Sequence, residues 1–269
     1  MGECQTVIKL KISRTTPQAV PVTRLSSHNS RKYGALLRSF NNSCHVRVRS
    51  HLNQVTITGM FGPQNRVNDV DRYRISVCGG ICRVQPHANR QTVAGYNRYH
   101  DLAPDDAESD GTLLLLLESP HKDEYRSGDP GHPIAPAQGQ AGTRIHSYLE
   151  CILNATHNAH VKQRISNNCR VIIANPVPFQ TSLWIIHRRS FRCCGSLRNA
   201  IWKTLWDVPA IRQDFCNRLQ CFRPDVVLNC CTFELQKQLT PFLRQCGLEQ
   251  RTYLGHHPSV WNCSVRLRS

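Results

Sequence analysis

Three polar residues of different chemistry each follow a short apolar run of the chain. Glu118 follows five consecutive leucines, Asn175 follows Val-Ile-Ile-Ala, and His257 follows the short stretch that begins at Tyr253. A carboxylate can position or deprotonate a water, an amide can pair with the edge of a heterocycle, and an imidazole can donate to an oxygen that gains negative charge. Singly, a strand-end Asn or His is most often a satisfied turn residue. Together the three suit hydrolysis of a bond whose leaving group is a nucleobase anion.

The elements that must position these residues are predicted from apolar periodicity. Uninterrupted apolar runs are typical of strands buried on both faces of a parallel sheet. Such runs occur at 113–117 and 171–174, a third strand is predicted at 225–228 from Val226 to Leu228, and a fourth begins at Tyr253; segments with helical spacing separate them. This alternation predicts an α/β fold, a three-layer αβα arrangement around a central four-stranded parallel sheet. Ligands bind beyond the carboxyl ends of such strands, so we expect the three polar residues to lie together there.

The charge of the chain is concentrated in its first hundred residues. The net charge is +16, and residues 1–100 hold 15 of the 34 Lys and Arg residues but only three of the 18 Asp and Glu residues. This balance favours a polyanionic partner, and we expect double-stranded DNA. No membrane partner is expected, because the leucine run is far shorter than the roughly 20 residues that span a bilayer.

Two units are therefore predicted, joined by an acidic linker at 102–111. Apolar and polar residues alternate at 7–12, 46–49 and 55–58, as in half-exposed strands. We interpret residues 1–105 as a basic, β-containing extension that contacts the DNA backbone, and residues 106–269 as the catalytic domain. An ordinary solvated surface explains the same arginines equally well.

The 14 cysteines do not form a recognisable metal-binding pattern. Cys78 and Cys82 flank a Gly-Gly pair, but no second pair with matching spacing follows them. Neither a zinc ion nor an iron–sulfur cluster is expected. No apolar signal segment follows Met1, so we expect reduced thiols in a cytoplasmic, monomeric protein.

Residues 111–262 resemble the uracil-DNA glycosylase superfamily. The run Leu117-Glu118-Ser119-Pro120-His121 is similar to its first motif, and Val171 to Asn175 resembles its middle strand, which ends in a base-reading Asn. His257-Pro258-Ser259 is similar to its second catalytic motif, and Gly139-Gln140-Ala141-Gly142 looks like the Gly-x-Ala-Gly element of its thermostable branch. The resemblance implies an enzyme that flips one base out of DNA and hydrolyses its N-glycosidic bond without a metal.

The resemblance also implies roles for individual residues. Glu118 would position the attacking water, with Asp123 of the same loop as its alternative. Asn175 would read the base edge and His257 would stabilise charge on the departing base. The remaining pocket candidates are Ser119, Pro120, His121, Tyr125, Ala137 and Phe179. The DNA-contact candidates are Gly139, Gln140, Gly142, Ser259, Trp261 and Arg266, with Trp261 either a wedge that enters the base stack or a core residue.

Two positions depart from the uracil-specific pattern. Ala137 stands where the family has an aromatic that stacks on the base, and His121 stands where a Tyr excludes a methyl group. Both changes enlarge the pocket unless Tyr125 or Phe179 supplies the stacking face. We therefore expect a 5-substituted pyrimidine, such as the hydroxymethyl or glucosylated cytosine of phage DNA, and a role in antiviral defence. The alternatives are a uracil-excising repair enzyme and a catalytically inactive nucleic-acid-binding protein of the same fold.

Overall fold

The computed structural model describes residues 66–87, 109–126, 132–181 and 194–269, and the backbone of six further strands between residues 6 and 98. Residues 102–108 of the predicted linker at 102–111 lie outside the described residues. Four of the strands form one sheet in the order β2-β1-β4-β3, in which only β1 and β4 are parallel. These are β1 (Thr6–Ile12), β2 (Val22–Leu25), β3 (Val46–His51) and β4 (Gln54–Gly59). The alternating segments of the N-terminal region are therefore strands, as expected.

A six-stranded mixed sheet forms the centre of the rest of the chain. Its order is β12-β11-β9-β10-β5-β6. The first four strands in that order pair in parallel, whereas β5 pairs antiparallel with both β10 and β6. The strands are β5 (Val70–Cys78), β6 (Ile81–Pro86), β9 (Gly111–Leu116), β10 (Cys169–Ala174), β11 (Val226–Asn229) and β12 (Thr252–Leu254). A separate pair, β7 (Gln91–Val93) and β8 (Tyr96–Arg98), is antiparallel.

The hairpin β5–β6 corrects two expectations. The sheet has six strands and mixed direction, where four parallel strands were predicted, and two of its strands precede the predicted boundary at 105/106. The hairpin turn consists of Gly79 and Gly80, both with positive φ (57° and 73°), which suits a tight connection between twisted strands. Residues 70–86 thus belong to the same sheet as the leucine strand.

Helices pack on both faces of the sheet. The helices are α1 (Gln140–Asn154), α2 (Ala159–Lys162), α3 (Cys194–Trp206), α4 (Pro209–Phe222) and α5 (Phe233–Gln245). Leu114 and Leu116 lie in one core with residues of α3, α4 and α5. Leu113, Leu115 and Leu117 lie in a second core with residues of α1 and the C-terminal segment.

The two cores explain why the leucine run lacks alternation, because a strand covered on both faces buries every side chain. All five leucines are at most 3% exposed. The α/β class is thus confirmed. No helix in the described part of the chain is long and apolar enough to cross a membrane.

Candidate active site at the carboxyl edge of the sheet

The register of the parallel strands brings the predicted site residues to one edge. Leu116 at the end of β9 pairs with Ala174 of β10 on one side and with Asn229 of β11 on the other. Asn229 in turn pairs with Leu254 at the end of β12. Since all four strands point the same way, the segments that follow them leave at the same edge. Glu118, Asn175 and His257 lie in those segments.

Glu118 is buried and firmly held. It is 5% exposed, and its Oε2 lies 2.9 Å from Nη1 of Arg198 in α3. Its Oε1 accepts a hydrogen bond of 2.8 Å from the backbone N–H of Thr232, just before α5. The backbone carbonyl of Glu118 accepts a 2.7 Å bond from Nε1 of Trp202. A carboxylate has about four lone-pair sites, so these contacts fix its orientation and leave capacity for a water.

His257 presents one ring nitrogen, Nδ1, to Ser259. The backbone N–H of Ser259 donates to Nδ1 of His257 at 3.3 Å, and the Ser259 hydroxyl lies 2.9 Å from the same nitrogen. Because Nδ1 accepts, the neutral ring carries its proton on Nε2. Burial lowers the pKa of His257; Glu118 partly opposes this effect and Arg198 adds to it. At neutral pH the imidazole is therefore an uncharged donor close to Glu118.

Asn175 has a fixed backbone and a buried side-chain amide. Its N–H donates to Asp69 at 3.3 Å, and its carbonyl accepts from Nη1 of Arg218 at 3.1 Å. Asp69 and Arg218 form a buried ion pair at 2.6 Å, which anchors this strand end. The Asn175 side chain is fully buried, yet neither its Nδ2 nor its Oδ1 has a hydrogen-bond partner among the described residues. Buried polar groups are rarely left so, and the open donor and acceptor suit a ligand.

Glu124 belongs to the same region and was not predicted. It lies in a 3-10 turn (Lys122–Glu124), is 4% exposed, and accepts a 2.7 Å hydrogen bond from the backbone N–H of Ala137. Burial raises the pKa of its carboxyl to about 8, and the Ala137 N–H, Arg72 and the Asn175 side chain partly oppose this effect. Its neighbours Lys122 and Asp123 are charged, and no apolar run or motif distinguishes Glu124 in the sequence.

Asp123, the alternative to Glu118, lies elsewhere in the loop. Its Oδ2 is 3.2 Å from Nδ1 of His121, and its side chain is 43% exposed. A Cβ built on Gly139 would lie 2.7 Å from the same carboxylate oxygen, so Asp123 packs against the start of α1. Asp123 thus contacts His121 and the start of α1, whereas Glu118 is the carboxylate whose charge acts on His257.

The other pocket candidates differ in how deeply their side chains are buried. The Ser119 hydroxyl is hydrogen-bonded to Thr181 at 2.5 Å. Ala137 is 3% exposed and has a left-handed backbone (φ 56°). Tyr125 is 2% exposed and Phe179 is 9% exposed, and both pack inside the protein. Pro120 is also buried.

The Gly-Gln-Ala-Gly element is a site of close backbone contact. A Cβ on Gly142 would lie 1.8 Å from the carbonyl oxygen of Ala137, so no other residue fits there without movement. Nη1 of Arg72 donates to the same carbonyl at 2.8 Å, and the neighbouring Pro136 carbonyl also accepts from Arg72. Gln140 is exposed at the first position of α1. The element therefore holds the Ala137 loop against Glu124.

The predicted DNA contacts after His257 divide into core and surface residues. Trp261 is 1% exposed, and its Nε1 donates to the His256 carbonyl at 2.8 Å, so it is a core residue in this conformation. Val260, its neighbour in a 3-10 turn (Pro258–Val260), is 62% exposed. Arg266 is exposed. Val260, and not Trp261, is therefore the solvent-exposed apolar side chain near His257 in the sequence.

Two of the cysteines form a disulfide, contrary to the expectation of reduced thiols. Cys151 of α1 is bonded to Cys263, with a Cα–Cα distance of 5.5 Å. This bond ties the segment after Trp261 to α1. Within the described residues, no group of three or more His, Cys, Asp or Glu side chains is placed to hold a metal ion.

Arg198 is a second residue that sequence reasoning missed. No motif or periodicity distinguishes it from the other arginines of the chain.

No protein-family model, curated protein or solved structure matches this chain. The functional conclusion therefore rests on the residues and geometry of the site.

Proposed function

We propose that the protein is a DNA glycosylase that flips a base from duplex DNA and hydrolyses its N-glycosidic bond to leave an abasic site. A buried carboxylate, an unpartnered buried amide and a neutral imidazole follow neighbouring strands at one edge of the sheet. This juxtaposition supports the proposal, because base hydrolysis needs one group each for the water, the base edge and the leaving-group charge. The three-layer αβα arrangement of the superfamily is part of the same proposal.

In the proposed reaction a water oxygen forms a bond to C1′ of the sugar while the C1′–N bond to the base breaks. Glu118 orients the water with its remaining lone pairs and stabilises positive charge on the sugar. The electron pair of the broken bond leaves with the base, and Nε2–H of His257 donates to the base oxygen that gains this charge. Asn175 pairs with the base edge, and the proton released by the water neutralises the departing base.

The proposed substrate is a pyrimidine with a bulky 5-substituent. Ala137 presents only a methyl group, and its backbone is held by Arg72, Glu124 and the close approach of Gly142. No side chain larger than a methyl group therefore enters the proposed pocket from position 137. A hydroxymethyl or glucosylated cytosine is the proposed class, which suits a role in antiviral defence.

DNA binding is proposed to combine the basic N-terminal region with an apolar wedge. Val260 is exposed next to His257 and fits the role that Trp261 cannot fill while buried. Inserting a side chain of this kind into the base stack is a common way to stabilise a flipped nucleotide. The protein is proposed to act as a monomer on double-stranded DNA.

Mass spectrometry of released bases tests the proposal. Duplexes that carry cytosine, 5-hydroxymethylcytosine, glucosylated 5-hydroxymethylcytosine or uracil are incubated with the protein. Glu118→Gln and His257→Ala should each lower release at least about a hundredfold, as loss of a charge-stabilising group does. Glu234→Gln is the matched control, because this glutamate is exposed on α5 and should not affect release.

Three results would separate the alternatives. Release of uracil alone supports a repair enzyme and contradicts the substrate class. Binding of duplex without release of any base supports the inactive nucleic-acid-binding protein. Release that survives both Glu118→Gln and His257→Ala contradicts the assigned site.

A further inference from the structure

We propose that one face of the N-terminal sheet β2-β1-β4-β3 binds the phosphate backbone of duplex DNA without reading its sequence. This role rests on the proposed function and deepens it, because it assigns DNA binding to a defined set of residues. We call this surface the basic face. Its cations are Lys9 and Lys11 of β1, Arg24 of β2, and Arg47 and Arg49 of β3.

The strand register places these residues on one face of the sheet. Lys9 pairs with Thr56 of β4, and Thr56 pairs in turn with Arg49 of β3. A second row, two residues along each strand, consists of Lys11, Thr58 and Arg47. Directly paired residues lie on the same face of a sheet, and residues two apart along a strand return to that face. The two rows therefore share one face, and Arg24 joins them because it pairs with Val7, two residues before Lys9.

The two faces of this sheet differ in composition. The positions of the opposite face on β1, β3 and β4 are mostly apolar, namely Ile8, Leu10, Ile12, Val46, Val48, Val55 and Ile57. None of the four strands contains Asp or Glu, so no carboxylate within these strands offsets the five cations. A sheet with all of its charge on one face, and of one sign, favours an anionic partner on that face.

The residue types of the basic face fit a phosphate backbone. Lysine and arginine neutralise phosphates, and threonine is among the residues that commonly donate to phosphate oxygens. Neighbouring strands lie about 4.8 Å apart and alternate residues about 7 Å apart, so the four cations of the two rows form a rectangle of about 10 by 7 Å. Cations spread in this way can neutralise several phosphates of one duplex at once.

The composition of the four strands favours a duplex over other polyanions. Proteins that bind single strands stack the bases on aromatic side chains, and helices that bind membrane surfaces insert Trp, Phe or Leu. None of the four strands contains Phe, Trp or Tyr, and the leucines Leu10 and Leu25 lie on the opposite face. Contacts to the phosphates alone carry no sequence information, so binding on this face is independent of sequence.

The N-terminal sheet lies beside the helix that holds the candidate catalytic carboxylate. Strand β2 is at one edge of this sheet, and its backbone comes close to that of α3. Arg198 of α3 pairs with Glu118. DNA held on the basic face is thus held on a sheet that adjoins the candidate site.

The salt dependence of duplex binding tests this role without requiring catalysis. Fluorescence anisotropy measures the affinity of the full-length protein for a labelled duplex between about 50 and 300 mM salt. Each phosphate contact adds about 0.9 to the slope of log affinity against log salt. A variant that replaces four cations of the basic face should therefore lose about 3 to 4 from this slope, and bind at least about a hundredfold more weakly at about 100 mM salt. Its substitutions are Lys9→Gln, Lys11→Gln, Arg47→Gln and Arg49→Gln.

Two further sets of variants make the test decisive. A control variant loses the same charge from exposed positions of the rest of the chain, and its slope should change by less than about one. Its substitutions are Arg164→Gln, Arg212→Gln, Lys237→Gln and Arg244→Gln. Two half variants, one with both β1 substitutions and one with both β3 substitutions, should each lose about two from the slope. Thermal melting shows which variants are folded, and the half variants serve if the four-residue variant is not.

Other ligands identify the partner of the basic face. Duplexes of unrelated sequence should bind within about threefold of one another, because the backbone carries no sequence information. A strong preference for one sequence contradicts this role, as does tighter binding of single-stranded DNA or of duplex RNA. Binding to vesicles of phosphatidylserine and phosphatidylcholine that the half variants abolish would assign the face to lipid and contradict the DNA partner.

The outcomes separate this role from the proposed function. Equal loss of affinity in the control variant and the four-residue variant contradicts a defined face, because net charge would then explain both. Wild-type affinity in both half variants, with base release intact, also contradicts this role and leaves the glycosylase proposal standing. The predicted loss of duplex binding, without base release by wild type, supports the basic face and contradicts the glycosylase.

Discussion

Nη1 of Arg198 lies 2.9 Å from Oε2 of Glu118, so the candidate catalytic carboxylate is one half of an ion pair between α3 and the end of β9. The Glu118 side chain is 6% exposed and that of Arg198 is 24% exposed. The arginine also donates to Thr232 Oγ1 at 3.2 Å, next to the N–H that binds the other oxygen of Glu118. Three elements of the fold thus hold one carboxylate in place.

Arg198→Gln should destabilise the protein and lower base release. Loss of the arginine leaves a buried carboxylate without its counter-charge, at a cost of about 1–2 kcal/mol after allowance for the partial exposure of Arg198. Denaturant unfolding measures the stability. Arg244→Gln is the control, because its ion pair with Glu249 is exposed and should contribute little. Equal effects of the two variants would contradict a special role for Arg198.

The pH dependence of base release should follow protonation of His257. Burial holds the pKa of His257 below 6.5, so the folded protein keeps the neutral donor down to the usual titration range of histidine. Release should be constant from about pH 7.5 to 6.5 and fall only at lower pH, as the ring becomes charged. Stability should fall over the same acidic range, because the unfolded chain binds the proton more readily. Kinetics and thermal melting at each pH test this. A decline in release that begins above pH 7 would contradict the assignment.

Gly142→Ala should disturb the pocket and the fold together. Its Cβ would lie 1.8 Å from the Ala137 carbonyl, so the Ala137 loop must move away from α1. Overpacking of this kind costs about 1–3 kcal/mol. Thr143→Ala, at the next and exposed position of α1, should change stability by less than about 0.5 kcal/mol. Thermal unfolding of both variants gives the comparison, and equal melting temperatures would show that the loop tolerates the methyl group.

Val260 and Trp261 should respond to substitution in opposite ways. Trp261→Ala removes a side chain that is 1% exposed and should cost about 3–5 kcal/mol of stability. Val260→Ala should leave stability unchanged but slow base release from paired duplex more than from a mismatched one, since a mismatch already weakens the stack. Denaturant melts and release assays on both substrates test the pair. Equal slowing on both duplexes would contradict the wedge.

The Cys151–Cys263 disulfide should stabilise the segment that follows the candidate catalytic residue His257. The bond joins residues separated by 112 positions, and a disulfide that closes a long loop typically contributes about 2–4 kcal/mol. Cys263→Ser should lose that amount in denaturant unfolding under oxidising conditions and nothing under reducing conditions. Cys78→Ser, which replaces an exposed free thiol, is the control. Identical unfolding of wild type with and without reductant would show that the bond contributes nothing.

Much of the fold could be predicted because local patterns decide it. The leucine run forms β9, and the segments with helical spacing between the apolar runs contain α1, α3, α4 and α5. The hairpin β5–β6 was not predicted. Two arginines, Arg72 and Arg74, interrupt the apolar residues of β5, and Arg72 is 1% exposed and donates to the Pro136 and Ala137 carbonyls. An arginine is buried only when distant partners satisfy it, and no local pattern reveals such partners.

The same distinction applies to the site. The sequence by itself determined Glu118, Asn175 and His257 as residues that follow buried strands, because an apolar run ending in a polar residue is a local property. Only the tertiary structure decided that Arg198, 80 positions after Glu118, pairs with it, and that Glu124 is buried beside Asn175 while its neighbour Asp123 is exposed. Burial and charge pairing depend on the three-dimensional surroundings of a side chain. Those surroundings, more than residue type, distinguish the two buried glutamates of this loop from each other and from Asp123.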